Sequence, residues 1–338
     1  MSSDAGATSQ RGQKQDLNKV ILSGLAGGIA GCVAKTVVAP LDRVKILFQA
    51  SNPDFQKYAG TWSGAFRAVS EIYQGGGVRG LFQGHSATLL RIFPYAAIKF
   101  MAYEHAHQAS ADDELINKDI LMPTREKETN LRRFTAGAIA GALSVFCTYP
   151  LDLIRVRMAF ITKSSDTSIR PSFIRAIQQI YKEGTDMPLS QQRSRALFLH
   201  YPILKFYRGF SVTLVGMVPY AGVAFLSWGY LRSKLLPPSK SGHRPATPIA
   251  DLAIGAVSGA VAQTASYPFE VIRRKMQVGG ITQPNEWLRW NETIRTIWQS
   301  RGWRGFFVGL SIGYLKVVPM TAVSFTVWQG GKRLFLNV

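Results

Sequence analysis

A ten-residue box recurs three times, and that recurrence restricts the fold more than any other feature of the chain. It reads P-L-D-R-V-K-I-L-F-Q over residues 40–49, P-L-D-L-I-R-V-R-M-A over 150–159 and P-F-E-V-I-R-R-K-M-Q over 268–277. In each copy an acid stands two residues after the proline (Asp42, Asp152, Glu270) and a base five after it (Lys45, Arg155, Arg273). An interval of roughly 110–120 residues, kept twice, describes three copies of one structural unit. Each proline also follows a G-x-x-x-G at the same offset: Gly27 with Gly31, Gly137 with Gly141, Gly255 with Gly259. Glycines one turn apart strip side chains from a helix face, so a neighbouring backbone can approach it.

The stretches that lead into the boxes, at 17–39, 131–149 and 249–267, each approach the ~20 residues that a bilayer core requires. A second set follows the boxes at 82–102, 207–230 and 306–328, each with an internal proline (Pro94, Pro219, Pro319). Polar residues interrupt them: Lys19 and Lys35 in the first, Gln263 in the stretch before Pro268. Spans that carry such residues face a wet interior or protein neighbours, not lipid all round. The reading is an all-α membrane protein of six transmembrane helices in three pseudosymmetric repeats around a polar cavity. A proline inside each of the three helices that carry a box should kink it. Between paired spans, 61–73 places Trp62, Phe66, Val69 and Ile72 on one helical face, and 287–299 repeats that amphipathic pattern. Helices of this kind lie at a membrane surface. Gly75, Gly76 and Gly77 are expected to end the first of them.

This divides the chain into a polar tail at 1–16, repeat one at 17–108, a loop at 109–129, repeat two at 130–236, a link at 237–248 and repeat three at 249–338. Repeat two carries a basic, aperiodic insertion at 185–205. The formal charge of +20 raises nucleic-acid binding. Six long apolar segments and the lack of any zinc-ligand spacing or RNA-binding string argue against it, so no nucleic-acid partner is expected. Charge is sorted by segment instead. Residues 42–79, 155–205 and 270–304 hold five, nine and seven bases against three acids each, whereas 104–128 holds seven acids and three bases. Basic connections collected on one side follow the positive-inside tendency. Cys32 and Cys147 both fall in apolar helices and offer neither a disulfide framework nor a metal site, so no metal is expected. No apolar core marks the tail as a secretory signal. A phosphate loop at 75–77 lacks the Gly-Lys-Ser/Thr that would follow, and no nucleophile–base pairing suggests an enzyme.

The triple P-x-[D/E]-x-x-[K/R] box, with its G-x-x-x-G and amphipathic helix, resembles the mitochondrial carrier (solute carrier 25) family over nearly the whole chain. The resemblance implies a multi-pass protein of the mitochondrial inner membrane, with termini on the cytosolic side and short matrix helices. It also implies a monomer in contact with membrane lipids, cardiolipin among them. By the same resemblance Asp42 pairs with Arg155, Asp152 with Arg273 and Glu270 with Lys45, as a gate on the matrix side. Gln49 and Gln277 match the glutamines that brace such pairs, whereas repeat two has Ala159 in that place. With water in reach, each pair is expected to contribute ~0–1 kcal/mol. The opposing ring is sparse, with Tyr103-Glu104 and His107, Trp228-Gly229 and Arg232, and Trp328-Gln329 and Lys332.

Carriers select substrate about one turn before the proline of each even span, which here means Arg91, Gly216 with Met217, and Lys316. Cations at mid-membrane are expensive unless they meet anions or water, so Arg91 and Lys316 suit phosphate groups. Gly216 and Met217 are expected to open a slot for adenine, Tyr220 to stack on it, and Lys35 to add a phosphate contact. Strings such as G-V-R-G-L-F-Q-G-H-S-A-T-L-L-R-I-F-P-Y-A-A are similar to the fungal coenzyme A carriers and the animal Graves disease carrier group. That likeness implies transport of coenzyme A by alternating access, in exchange for an adenine nucleotide such as adenosine 3′,5′-bisphosphate. Coenzyme A is then a transported substrate, and no cofactor is expected. The alternatives are a carrier of another adenine nucleotide (ATP, ADP or AMP) and a membrane-embedded coenzyme A-dependent enzyme. The R-R-R-M-M-M string of the ADP/ATP carrier is absent; Arg273-Arg274-Lys275-Met276-Gln277 stands there.

Overall fold

Each box proline sits inside a helix instead of ending one. The computed structural model describes residues 27–98, 101, 125–162, 172–183, 201–235, 248–283 and 288–336. The tail, the start of the first span, residues 109–124 of the first loop, most of the 185–205 insertion, the link up to 247, and Tyr103, Glu104 and His107 lie outside them. Helix α1 (27–49) carries Pro40, α4 (Arg125–Phe160) carries Pro150 and α7 (Pro248–Thr282) carries Pro268. A proline here removes one backbone donor and strands the carbonyl four residues earlier. Hydroxyls just upstream bond back to their own helix: Thr36 to the Cys32 carbonyl at 2.8 Å, Thr148 to Ser144 at 2.7 Å and Thr264 to Ala260 at 2.8 Å. Such back-bonding satisfies the hydroxyl without water and bends the helix further.

Each box helix leads to a short helix: α2 (Trp62–Leu81), α5 (Phe173–Lys182) and α8 (Trp290–Arg301). Helix α2 differs from the expectation, because Gly75 and Gly76 stay helical and only Gly77 breaks it, with φ 62° and ψ −160°. The even spans follow as α3 (85–98), α6 (Phe210–Leu235), and α9 (Leu310–Leu315) with α10 (Val317–Leu336). All three begin after a left-handed glycine, Gly84, Gly209 or Gly309, with φ of 83°, 82° and 84°. A side chain at Gly84 would also meet the Arg155 carbonyl at 2.8 Å, so the turn is closed to other residues on two counts.

Burial is concentrated at the box end. Val44, Leu47 and Phe48 pack with Ile72, Val156 and Phe160. Leu153 and Ile154 pack on Ala176 and Ile180, and Val271, Ile272 and Met276 pack on Ile297. The far halves of the helices instead expose large apolar side chains, including Ile139, Leu143, Val257, Val218, Leu226, Val318 and Phe325. Apolar surface of this extent is what a bilayer covers.

Among the described residues, the stretches Gly137–Phe160, Pro202–Leu235 and Trp290–Gly331 are long and apolar enough to cross a membrane by length and composition. Helix α7 falls short because Gly, Ser, Thr and Gln dilute its apolar residues, and α1 and α3 are described only over 27–49 and 85–98. The described elements are all helical, as the sequence reading expects. One expectation fails: the G-x-x-x-G faces do not seat a neighbouring backbone. Among the described residues, a Cβ built at Gly27, Gly31, Gly137, Gly255 or Gly259 meets nothing within 4 Å, and one at Gly141 meets only the Met217 methyl at 3.6 Å.

Candidate functional site

Because the three boxes share one register and the three helices converge at their prolines, each acid faces a base of the next repeat. Arg155 donates to Asp42 at 3.1 Å, Arg273 to Asp152 at 2.5 Å, and Lys45 to both oxygens of Glu270 at 2.8 and 3.1 Å. The structure thus brings together all six charged box residues in the pairing expected.

The three stations are unequal. Asp152, with 3 % of its side chain exposed, also accepts from Arg274 at 3.1 Å and from the Gln277 amide at 3.1 Å. Asp42, 9 % exposed, accepts on its second oxygen from Lys316 at 2.8 Å. Glu270, 28 % exposed, has Lys45 alone as its ion-pair partner among the described residues. The expected ~0–1 kcal/mol therefore holds only where water enters. At the shielded stations, losing one partner costs ~3–5 kcal/mol, because a charge is left buried and unpaired.

The two glutamines differ. Gln277 bonds Asp152 directly and the Tyr149 hydroxyl at 3.1 Å. Gln49 donates to the Tyr267 hydroxyl at 3.0 Å and, among the described residues, makes no hydrogen bond to Lys45 or Glu270. The Tyr267 ring lies 5.2 Å from the Lys45 ammonium. Each tyrosine hydroxyl donates in turn to the loop before an even helix, Tyr149 to the Arg208 carbonyl at 2.7 Å and Tyr267 to the Val308 carbonyl at 3.0 Å. Sequence reasoning missed these tyrosines. The Tyr-Pro dipeptide in two of the three boxes was the available signal, and Ala39 replaces it in the other.

Also missed were the buried cations that tie the repeats. Arg43 donates to the carbonyls of Ala159 at 3.1 Å, Ile161 at 2.9 Å and Gly80. Arg157 and Arg208 both bind the Glu183 carboxylate at the end of α5, and Arg157 crosses to the Gln277 carbonyl at 3.1 Å.

The candidate substrate residues separate into two groups. Lys35, Arg91 and Lys316 lie within electrostatic range of the acid–base ring, Lys35 sensing Asp42, Lys316, Arg155 and Arg91. Arg91 lies over the Tyr95 ring at 5.7 Å, and its buried Nε has no hydrogen-bond partner among the described residues. Gly216 departs from the expected slot. It is buried, and a Cβ there would meet the Phe269 Cβ at 2.9 Å, so the glycine serves the packing of α6 on α7. Met217 is turned toward Gly141 of α4, and Tyr220 is 47 % exposed. Among the described residues no His, Cys, Asp and Glu cluster could hold a metal, and Cys32 and Cys147 are free.

The profile of the mitochondrial carrier protein family matches residues 17–113, 126–185 and 244–338. The chain is 43 % identical to mitochondrial carrier protein LEU5 of Saccharomyces cerevisiae, over 95 % of this chain and 92 % of that one. It is 39 % identical to bovine solute carrier family 25 member 16, over 92 % and 88 %. It is 35 % identical to the human mitochondrial coenzyme A transporter SLC25A42, over 96 % and 92 %. With the threefold box, the ring it forms and matches of this extent, the chain belongs to the mitochondrial carrier family and is a transporter of the mitochondrial membrane, not an enzyme.

Proposed function

We propose that this carrier moves coenzyme A across the inner membrane by alternating access, in exchange for an adenine nucleotide such as adenosine 3′,5′-bisphosphate. The observation that carries the reading is a charge imbalance at the ring. Among the described residues, Lys35, Lys45, Arg91, Arg155, Arg273, Arg274 and Lys316 are seven cations against the three carboxylates of Asp42, Asp152 and Glu270. Uncompensated positive charge at membrane depth calls for a polyanion. Coenzyme A brings about four negative charges at neutral pH, two of them on its 3′-phosphate. A human relative named as a coenzyme A transporter supports the same reading. In this account the six box residues close the matrix side, Arg91, Lys316 and Lys35 receive phosphate groups, and Met217 and Tyr220 border the adenine. Gly216 supports that wall by packing.

The test is uptake of labelled coenzyme A into liposomes that contain the purified chain. Charge-assisted contacts of ~1.5–3 kcal/mol imply that Arg91→Ala and Lys316→Ala each lower uptake roughly ten- to a hundredfold. Lys57→Ala, in an exposed pair with Glu71, should leave it unchanged. Wild-type rates in both site variants would remove the phosphate roles.

A further inference from the structure

We propose that Lys316 is a positioning residue of the closed ring as well as a substrate contact, so that a phosphate reaching it unfastens Asp42. This deepens the reading above and rests on it for the identity of the anion. The two oxygens of Asp42 are held by different repeats, Oδ2 by Arg155 at 3.1 Å and Oδ1 by Lys316 at 2.8 Å. Only 17 % of the Lys316 side chain is exposed, so the ammonium is committed to this carboxylate.

The helical backbone of the third even span carries Lys316 without a break: its φ of −78° and ψ of −19° are right-handed, its N–H donates to the Ile312 carbonyl at 3.1 Å, and its carbonyl accepts from the Met320 N–H at 3.1 Å. Three residues earlier, Gly313 lets α9 press against α7. A Cβ there would meet the Gln263 amide at 2.5 Å and the Lys45 ammonium at 3.7 Å. On this closely packed helix the Lys316 ammonium meets Asp42 at 2.8 Å.

An ammonium has three donors, and geometry alone would let it hold a carboxylate and a phosphate together. Two anions at hydrogen-bond distance from one ammonium repel each other strongly where water is scarce. Phosphate binding at Lys316 therefore costs Asp42 a partner and leaves Arg155 alone to hold that station. The coupling is reciprocal: whatever weakens the Asp42–Lys316 contact raises the affinity of Lys316 for phosphate by the same factor.

The experiment begins without substrate. Apparent unfolding temperatures are measured for the purified full-length chain, Lys316→Gln, Asp42→Asn and the double variant. Lys316→Gln should lower the temperature by about 2–4 °C in the native background, and that loss should vanish or reverse in Asp42→Asn. Equal losses in both backgrounds would overturn the proposal. Should Asp42→Asn fail to fold, Lys316→Arg should unfold with the native protein and Lys316→Gln below it; identical temperatures for the two would overturn it. In liposomes, Asp42→Asn should take up coenzyme A with a KM about three- to tenfold lower and a reduced kcat, and Lys316→Gln with a raised KM. A KM unchanged in Asp42→Asn would count against competition for the ammonium. Coupling in the substrate-free cycle without any coenzyme A uptake would leave the fastening intact and overturn the substrate reading instead.

Discussion

Asp152 is the most heavily engaged carboxylate of the ring, with two arginines and an amide on one oxygen and 3 % of its side chain exposed. Glu270 has one lysine and is 28 % exposed. The two should respond differently to loss of charge. Asp152→Asn is expected to destabilise the closed state by ~3–5 kcal/mol and Glu270→Gln by ~1 kcal/mol, read as apparent unfolding temperatures of the substrate-free protein. Equal losses would show that burial does not set the strength of these pairs. The shared register of the boxes put three acids and three bases at one level, and the family resemblance supplied which acid pairs with which base. Arg274 and Lys316 were not legible as ring members. Arg274 has no counterpart in the other boxes, and Lys316 meets Asp42 across 274 residues, which no local pattern encodes.

At the level of helices, glycine positions separate into those that are packed and those that are open. Gly216 lies against Phe269, so Gly216→Ala should cost ~1–3 kcal/mol through overpacking of α6 on α7. A Cβ at Gly137 meets nothing within 4 Å among the described residues, and Gly137→Ala should be neutral or stabilising by up to ~1 kcal/mol in this state. Thermal unfolding of the two variants checks the contrast, and a larger loss at Gly137 would contradict it. Sequence spacing puts two glycines on one helix face and does not say whether that face is occupied. The same limit applies to α2. Three consecutive glycines promised a break, but which one takes positive φ is decided by how the chain must turn toward α3, and it is Gly77.

For the whole molecule, the three box helices and their short partners close one end, where every described apolar cluster lies. Repeat number and helical class followed from periodicity, because each repeat buries its apolar face only against its neighbours, whereas the place of the ring came from the family resemblance. The ties between repeats did not, since they run through backbone carbonyls, as from Arg43 to Ala159 and from Arg157 to Gln277. Orientation is the first test at this scale. Residues 104–128 should be open to protease added to mitoplasts, and 155–205 should be protected; cleavage in the opposite pattern would place the ring on the other side. The central claim concerns the cargo, and both substrates can be followed in one vesicle preparation. Liposomes that contain the purified chain should take up coenzyme A, and adenosine 3′,5′-bisphosphate with it, faster than ATP. ATP/ADP exchange that outran coenzyme A uptake in those vesicles would contradict the claim and leave a carrier of other adenine nucleotides.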